Sequence, residues 1–198
     1  MSDALPPLVL ASASPRRREL LASRGLRFEV MPAEVCERAH AGESPRALVE
    51  RLAAEKALAV RARLPREPRR FVLGSDTVVV LAGEILGKPR DPAHAVELLS
   101  RLSGRTHTVW TGVAVAVTGD ASPAVRSVAS EVTLRAASED ELRAYVATGE
   151  PLDKAGAYAL QGEGRRFVSR VCGSESNVIG LPLEETLALL AEAGFGHG

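Results

Sequence analysis

Cysteine is scarce in this chain of 198 residues: Cys36 and Cys172 are the only two, too few and too far apart for a zinc motif or a disulfide framework. Four histidines, His40, His94, His107 and His197, show no ligand spacing, so a structural zinc is not expected. Aromatic residues make up only 4%, and 25 basic residues balance 25 acidic ones. The chain therefore lacks both the field that draws proteins onto nucleic acid or anionic lipid and the stacking faces that grip single-stranded bases. No apolar run is long enough for a membrane span. The opening MSDALPPLVLASASP ends like a secretory signal on Ala-Ser-Ala, yet it carries Asp3, no Lys or Arg and only a short apolar run. The expectation is a cytoplasmic protein with no membrane partner and no stable nucleic-acid partner. Lysine is the last scarcity: 22 of the basic residues are Arg, which leaves Lys56, Lys88 and Lys154. A compact ammonium suits a phosphate or a tight cleft where a guanidinium does not fit, and chance survival of three lysines is the competing explanation.

What is present is ordinary globular patterning. Hydrophobic residues make up 45% and charged residues 25%, and the length suits one core or two lobes sharing one. A single domain over residues 1–198 is expected. LVLA reads as a buried strand, followed by a helix opened by Ser14-Pro15 and ended near Gly25. LRFEVM reads as a second strand, and Ser44-Pro45 opens a helix to about Leu64 whose apolar stripe is Leu48, Val49, Leu52, Ala53 and Val60, with Lys56 in its middle. FVLGSDTVVVLAGEIL predicts two strands joined at Ala82-Gly83. A helix from Pro92 to about Leu102 is capped by Asp91, and Ser138 with Glu141 forms a capping box for another ending at Gly149. THTVWTGVAVAVTG and RSVASEVTLR read as neighbouring strands, FVSRV and SNVIGLP as later ones, and LPLEETLALLAEAG as a closing helix stopped at Gly194. Hairpins mixed with helical crossovers predict an α/β fold with a mixed, twisted sheet and flanking helices.

Chemistry concentrates at a few places. Arg16, Arg17 and Arg18 crowd the first turn of the first helix, where unpaired N–H groups already make the end positive and a cation costs roughly 0.3 to 1 kcal/mol. Two readings stand: the guanidinium groups splay into solvent, or they join Ser12, Ser14 and the helix N–H groups in a polyphosphate cradle. Asp76 interrupts an apolar strand run, a costly place for a carboxylate unless it is paired, hydrogen-bonded or metal-bound. A bulge at Gly74 would expose it harmlessly. Beside a polyphosphate cradle it suits a Mg²⁺ ligand or a base for an attacking water. GEILGKP is not a Walker A loop, since Gly83 and Gly87 are too close and Pro89 stands where Ser or Thr belongs.

Six blocks occur jointly and in order: LASASPRR, EKA, GSDTVVVLAGEILGKPRD, LSGRTHTVWTGVAV, EPLDKAGAYALQG and GLPLEET. Together they resemble the Maf family of nucleoside triphosphate pyrophosphatases over Leu8 to about Leu190. The resemblance implies two lobes around a cleft, similar to the inosine triphosphate pyrophosphatases, a homodimer, and cleavage between the α and β phosphates of a nucleotide with a divalent cation, Mg²⁺ or Mn²⁺. It gives Asp76 the catalytic role, with Glu37 beside it as a metal or water contact, and gives phosphate binding to Ser12, Arg16, Arg17, Lys56 and Lys88. Where the family often has two adjacent acids, this chain has Cys36 before Glu37, which leaves the metal shell open. The branch acting on 7-methyl-GTP has Trp after Ser-Pro, Gln after the catalytic Asp and a Glu in the fifth block. Arg16, Thr77 and Gln161 stand there in this chain, so it resembles the branch hydrolysing dTTP and UTP, with modified pyrimidine nucleotides as further candidates. The family's association with inhibition of septum formation implies a different class of function, a regulatory binding protein.

Overall fold

Leu8, Val9 and Leu10 form β1 (Leu8–Leu10), buried on both faces. It pairs in parallel with β2 (Phe28–Val30) and β3 (Phe71–Leu81), placing Val9 opposite both Glu29 and Val72. Parallel neighbours require crossovers, and α1 (Pro15–Ala22) and α2 (Pro45–Arg61) lie in those connections. Each opens on a Ser-Pro pair: Ser14 Oγ accepts from the Arg17 N–H at 3.5 Å and Ser44 Oγ from the Ala47 N–H at 3.2 Å, with the proline where its missing N–H costs nothing. The positive-φ pair Ala82-Gly83 turns the chain into β4 (Glu84–Leu86), antiparallel to β3. There follow α3 (Pro92–Leu102), capped by Asp91, then β5 (Thr106–Val117) and β6 (Ala124–Leu134). Next come α4 (Glu139–Ala147) with both bonds of its Ser138–Glu141 capping box, β7 (Val168–Cys172), α5 (Glu175–Ile179) and α6 (Leu183–Glu192). The strands form one mixed sheet in the order β2-β1-β3-β5-β6-β7, with β4 beside β3. The expected α/β class with a mixed sheet is observed.

This computed structural model describes residues 8–196. Asp3, the rest of the signal-like opening up to Pro7, and His197 lie outside the described residues. The chain falls into two compact units. The first holds the described residues up to Asp76, Thr111–Val128 and those from Gly180; the second holds Thr77–Trp110 and Ala129–Ile179.

In the first unit the strands alternate in size as well as in direction. Leu8, Leu10, Phe71, Leu73, Val113, Val115 and Val117 form one core with Leu21 of α1 and Leu189 and Leu190 of α6. The intervening residues, Val9, Ala11, Val72, Ala114 and Ala116, pack with Ala53, Ala57 and Val60 of α2. Small residues on this second face admit the helix closely. A Cβ on Gly74 would lie 2.1 Å from the Ala53 carbonyl oxygen, and one on Gly112 would lie 2.1 Å from that of Val49. The backbone of α2 therefore rests directly on β3 and β5, and Gly74 belongs to regular strand rather than to a bulge.

The second unit has its own core, where Ala95, Leu98, Leu99 and Leu102 of α3 and Leu142, Tyr145 and Val146 of α4 join Val79, Leu81, Val109 and Phe167. One part differs from the sequence reading, and another has no assignment in it. SNVIGLP, expected as a strand, contains α5 instead: the Ser174 hydroxyl accepts from the Asn177 N–H at 3.2 Å and its carbonyl from Val178 at 3.2 Å, a local cap that a short apolar run does not reveal by periodicity. The stretch around DKAGAYALQG is built from three 3₁₀ turns, Glu150–Asp153, Ala155–Ala157 and Gly162–Phe167. Buried His107 bonds Tyr158 through Nε2 and the phenol oxygen at 2.8 Å, and burial pulls its pKa from 6.5 down to about 4.

Gly74→Ala is expected to lower stability by at least about 2 kcal/mol, read as reduced Tm, because the added methyl meets backbone that cannot step aside. His107 gives a pH signature. Its folded-state pKa is depressed, so the unfolded chain binds the extra proton and stability falls as pH drops from about 6.5 to about 4. Urea unfolding should show wild type losing up to about 3 kcal/mol more than His107→Gln across that window.

Candidate active site

The close seating of α2 brings two charges together. Lys56, on the buried stripe of α2, and Asp76, on the same face of β3 as Val72 and Gly74, are each 7% exposed. Lys56 Nζ donates to Asp76 Oδ1 at 2.7 Å and sits 2.5 Å from Glu37 Oε1. Glu37 is half exposed and belongs to the loop between β2 and α2. Two carboxylates thus meet at one ammonium, which answers why an aspartate interrupts an apolar strand and a lysine an apolar helix face. A buried lone charge of either sign would be strongly destabilising, and the pairing removes that cost while contributing little net stability.

Of the three arginines at the start of α1, Arg18 is exposed and Arg16 half-buried. Arg17 folds back onto the sheet end. Its Nε donates to the Gly180 carbonyl at 2.8 Å, and one terminal nitrogen reaches the Ser75 carbonyl at 2.8 Å and Ser12 Oγ at 3.2 Å. Ser12 Oγ also accepts from the Ser14 N–H at 3.2 Å, and Ser75 Oγ donates to the same Gly180 carbonyl at 3.2 Å. Burial draws the Arg17 guanidinium below its ordinary pKa, with Asp76 pulling it back up. Arg17 therefore ties β1, β3 and the turn before α6 into one base on which Ser12, Ser14 and Asp76 stand, a use that neither reading of the arginine run included.

The loop holding Glu37 is itself fastened by residues the sequence reading passed over. Arg51 of α2 grips Glu43 through two parallel bonds of 2.7 Å each, bonds Glu55 at 3.0 Å, and donates to the Arg38 carbonyl at 3.1 Å. The Arg51 hydrogen bonds, with one from the His40 N–H, hold the Glu43 carboxyl down to about 2. Arg63 bonds the Pro32 carbonyl at 3.1 Å. An Arg and a Glu eight residues apart in a polar stretch carry little sequence signal. Cys36 is exposed, in keeping with a plain loop residue.

In the second unit, Thr77 directly follows Asp76 along β3, Lys88 is exposed just after β4, and Gln161 is exposed between the second and third 3₁₀ turns. The remaining scarce lysine is structural: Lys154 Nζ bonds the Glu150 carbonyl and Asp153 Oδ1.

Among the described residues no group of three or more His, Cys, Asp or Glu is arranged to hold a metal ion. The Glu37–Asp76 pair nevertheless fits a hard divalent cation. Both are carboxylates, and their oxygens already converge on a single small cation. Mg²⁺ is commonly held by one or two carboxylates, with the other positions left to water and substrate phosphates.

The Maf-like protein model matches residues 7–193. The chain is similar to proteins named dTTP/UTP pyrophosphatase from Myxococcus xanthus (56% identical, covering 94% of this chain and 92% of that one), Anaeromyxobacter dehalogenans (54%, 96% and 95%) and Yersinia pestis (52%, 93% and 91%). A solved nucleoside-triphosphatase, named also dITP/XTP pyrophosphatase, from Mycobacterium abscessus aligns over 94% of each chain at 14% identity with a TM-score of 0.41, a likeness too low to carry argument. Matched along nearly its whole length by the family model and by relatives more than half identical, the chain belongs to the Maf family.

Proposed function

We propose that the chain acts as a single nucleoside triphosphate pyrophosphatase domain, hydrolysing dTTP and UTP to the monophosphate and pyrophosphate. The observation that carries this reading is the meeting of Glu37 and Asp76 at buried Lys56, in a chain 56% identical to a relative named for that activity.

Water adds across the anhydride between the α and β phosphates, the bridging P–O bond breaks, and pyrophosphate leaves. Asp76 is fixed in strand and nearly dry, so its carboxylate orients the attacking water and accepts its proton at an oxygen not bonded to Lys56. Lys56 holds Asp76 in place and presents positive charge toward the polyphosphate, Arg16 adds more, and the family resemblance gives Lys88 the same role. Ser12 and Ser14 hydroxyls and the first N–H groups of α1 receive phosphate oxygens. Glu37 and Asp76 would hold a divalent cation, Mg²⁺ or Mn²⁺, which when bound supplies charge neutralisation to the phosphates. Gln161 reads the base: its amide both donates and accepts, matching a uracil edge with O2 and O4 acceptors around an N3 donor, whereas a Glu there would repel those acceptors. The thymine 5-methyl adds apolar contact of about 1 to 3 kcal/mol, so dTTP and UTP are both accepted, with modified pyrimidine nucleotides as further candidates. The family resemblance supports a homodimer working in the cytoplasm; among the described residues no helix is long and apolar enough to cross a membrane.

Asp76→Asn is expected to lower turnover by about 10²-fold or more with unchanged circular dichroism. Retention of more than about a tenth of the rate removes Asp76 from proton transfer. Lys56→Met should lower kcat/KM for the nucleotide by about tenfold or more, and wild-type kinetics in that variant would show the lysine to be packing alone. In a side-by-side pyrophosphate-release assay, dTTP and UTP should exceed 7-methyl-GTP in kcat/KM. The reverse order would overturn the base assignment and leave the pyrophosphatase reading standing.

A further inference from the structure

The 3₁₀ segment bearing Gln161 belongs to no ladder and no α-helix, yet its backbone is held in unusual conformations. Gly156 and Ala157 have φ of 68° and 58°, and Gly162 has φ of 81°. The residues before Gln161, from Gly156 to Leu160, are buried, as is Gly164 after it, so Gln161 to Glu163 form an exposed tip on a buried base. One carboxylate sits at the centre of that base. Glu150 Oε1 accepts from the Tyr145 hydroxyl at 2.7 Å and from the Gly164 N–H at 3.0 Å, and Oε2 accepts from the Glu163 N–H at 2.9 Å. The Tyr145 oxygen in turn accepts from the Ala159 N–H at 3.2 Å. The tip is thus gripped on both sides of Gln161, at Ala159 through Tyr145 and at Glu163 and Gly164 directly.

The grip is close-fitting and carries charge. A Cβ on Gly162 would stand 2.5 Å from Glu150 Oε2, and the φ of 81° there lies in the region that favours glycine, so a side chain at this position would push against the clasp. Burial pushes the Glu150 carboxyl up, but the bonds from Tyr145, Glu163 and Gly164, together with Lys154, more than reverse this and leave it below the usual carboxylate range. Burial and the bond to Glu150 raise the Tyr145 phenol, which stays protonated as a donor. Lys154 pins the Glu150 backbone by bonding its carbonyl, and the Gly156 N–H donates to the Gly87 carbonyl at 3.1 Å.

We propose that Glu150, with Tyr145, is a positioning residue for nucleobase selection: its carboxylate clasps the 159–164 backbone so that Gln161 meets the base at one fixed reach and angle. This rests on the reading of Gln161 as the base-contacting residue. A glutamine amide offers a donor and an acceptor and serves either pyrimidine edge if it is free to shift, so discrimination between uracil, with its C4 carbonyl, and cytosine, with its C4 amine, depends on the backbone that carries it. Glutamine at position 150 keeps the shape but turns one accepting oxygen into an NH₂ facing an N–H, so one side of the clasp opens.

The experiment is a double-mutant cycle on the full-length protein: wild type, Glu150→Gln, Gln161→Ala and the double variant, each assayed for kcat and KM with UTP and CTP, with thermal unfolding as the fold control. Glu150→Gln is expected to reduce the preference for UTP over CTP by about tenfold through KM, with kcat for UTP within about twofold of wild type and no further loss when Gln161→Ala is added. If Glu150→Gln keeps the wild-type preference, lowers kcat alone, or multiplies independently with Gln161→Ala, the clasp does not act through Gln161 and the proposal falls while the Gln161 reading stands. If Gln161→Ala itself leaves the preference unchanged, or wild type has none, both fall together. Should Glu150→Gln not fold, Tyr145→Phe, which removes only the hydroxyl linking Ala159 to the carboxylate, runs through the same cycle. It is expected to cost about threefold in preference, and an unchanged preference overturns the proposal.

Discussion

The contact of α2 backbone with β3 and β5 backbone at Gly74 and Gly112 is the constraint from which the first unit's site follows. Ordinary side chains at those two positions would meet the α2 backbone and hold the helix off the strands. With glycine and alanine beneath it, α2 settles until Lys56 Nζ stands 2.7 Å from Asp76 Oδ1. The opposite face of the same strands carries valine, leucine and phenylalanine and takes the bulk of the core. One sheet therefore divides its labour by residue parity, large side chains for stability on one side and close approach for chemistry on the other.

The charged centre built in this way is poor as a device for stability. A buried pair does little more than offset the cost of its own desolvation, and a hydrophobic pair of equal volume would serve the core better. What the arrangement supplies is placement. Asp76 belongs to a strand bonded on both sides, Lys56 to a helix that cannot shift without clashing, and the Arg17 guanidinium bonds the carbonyl of Ser75, the residue before Asp76, and that of Gly180 in the turn before α6. On the pyrophosphatase reading proposed above, charges held in that manner need no reorganisation when a polyphosphate arrives, which is where electrostatic catalysis gains most.

Local rules were legible in the sequence and distant ones were not. Ser14-Pro15, Ser44-Pro45, Asp91-Pro92 and the Ser138–Glu141 box each announce a helix within four residues, and each helix stands where its cap placed it. Lys56 was visible because it breaks a stripe, and Asp76 because it breaks a strand. By contrast, Arg17 finds its Gly180 partner 163 residues away, and no pattern near the arginine run points there. Glu150 escaped notice because two of the three donors to its carboxylate are main-chain N–H groups, which every sequence has, and the third, the Tyr145 hydroxyl, lies in the preceding helix. The alternation Gly112-Val113-Ala114-Val115-Ala116-Val117 was in plain view as a strand, but its small-and-large rhythm acquires meaning only once a helix is known to lie on one side. SNVIGLP failed for the opposite reason, since a serine cap decided a segment whose apolar content suits either form.

The fastening of the loop between β2 and α2 has a mechanical corollary. Arg63 holds it at Pro32, and Arg51 holds it at Arg38 and again at Glu43, so a long irregular segment is divided into short arcs, each with little entropy left to lose. Glu37 is the residue next to the middle stitch. Its side chain reaches the Lys56 ammonium from a backbone tied at Pro32 before it and at Arg38 after it, so in the function proposed above the carboxylate can turn to a divalent cation without the loop unfastening. Because the Arg51 and His40 hydrogen bonds hold the Glu43 carboxyl down to about 2, that stitch keeps its charge well into the acid range.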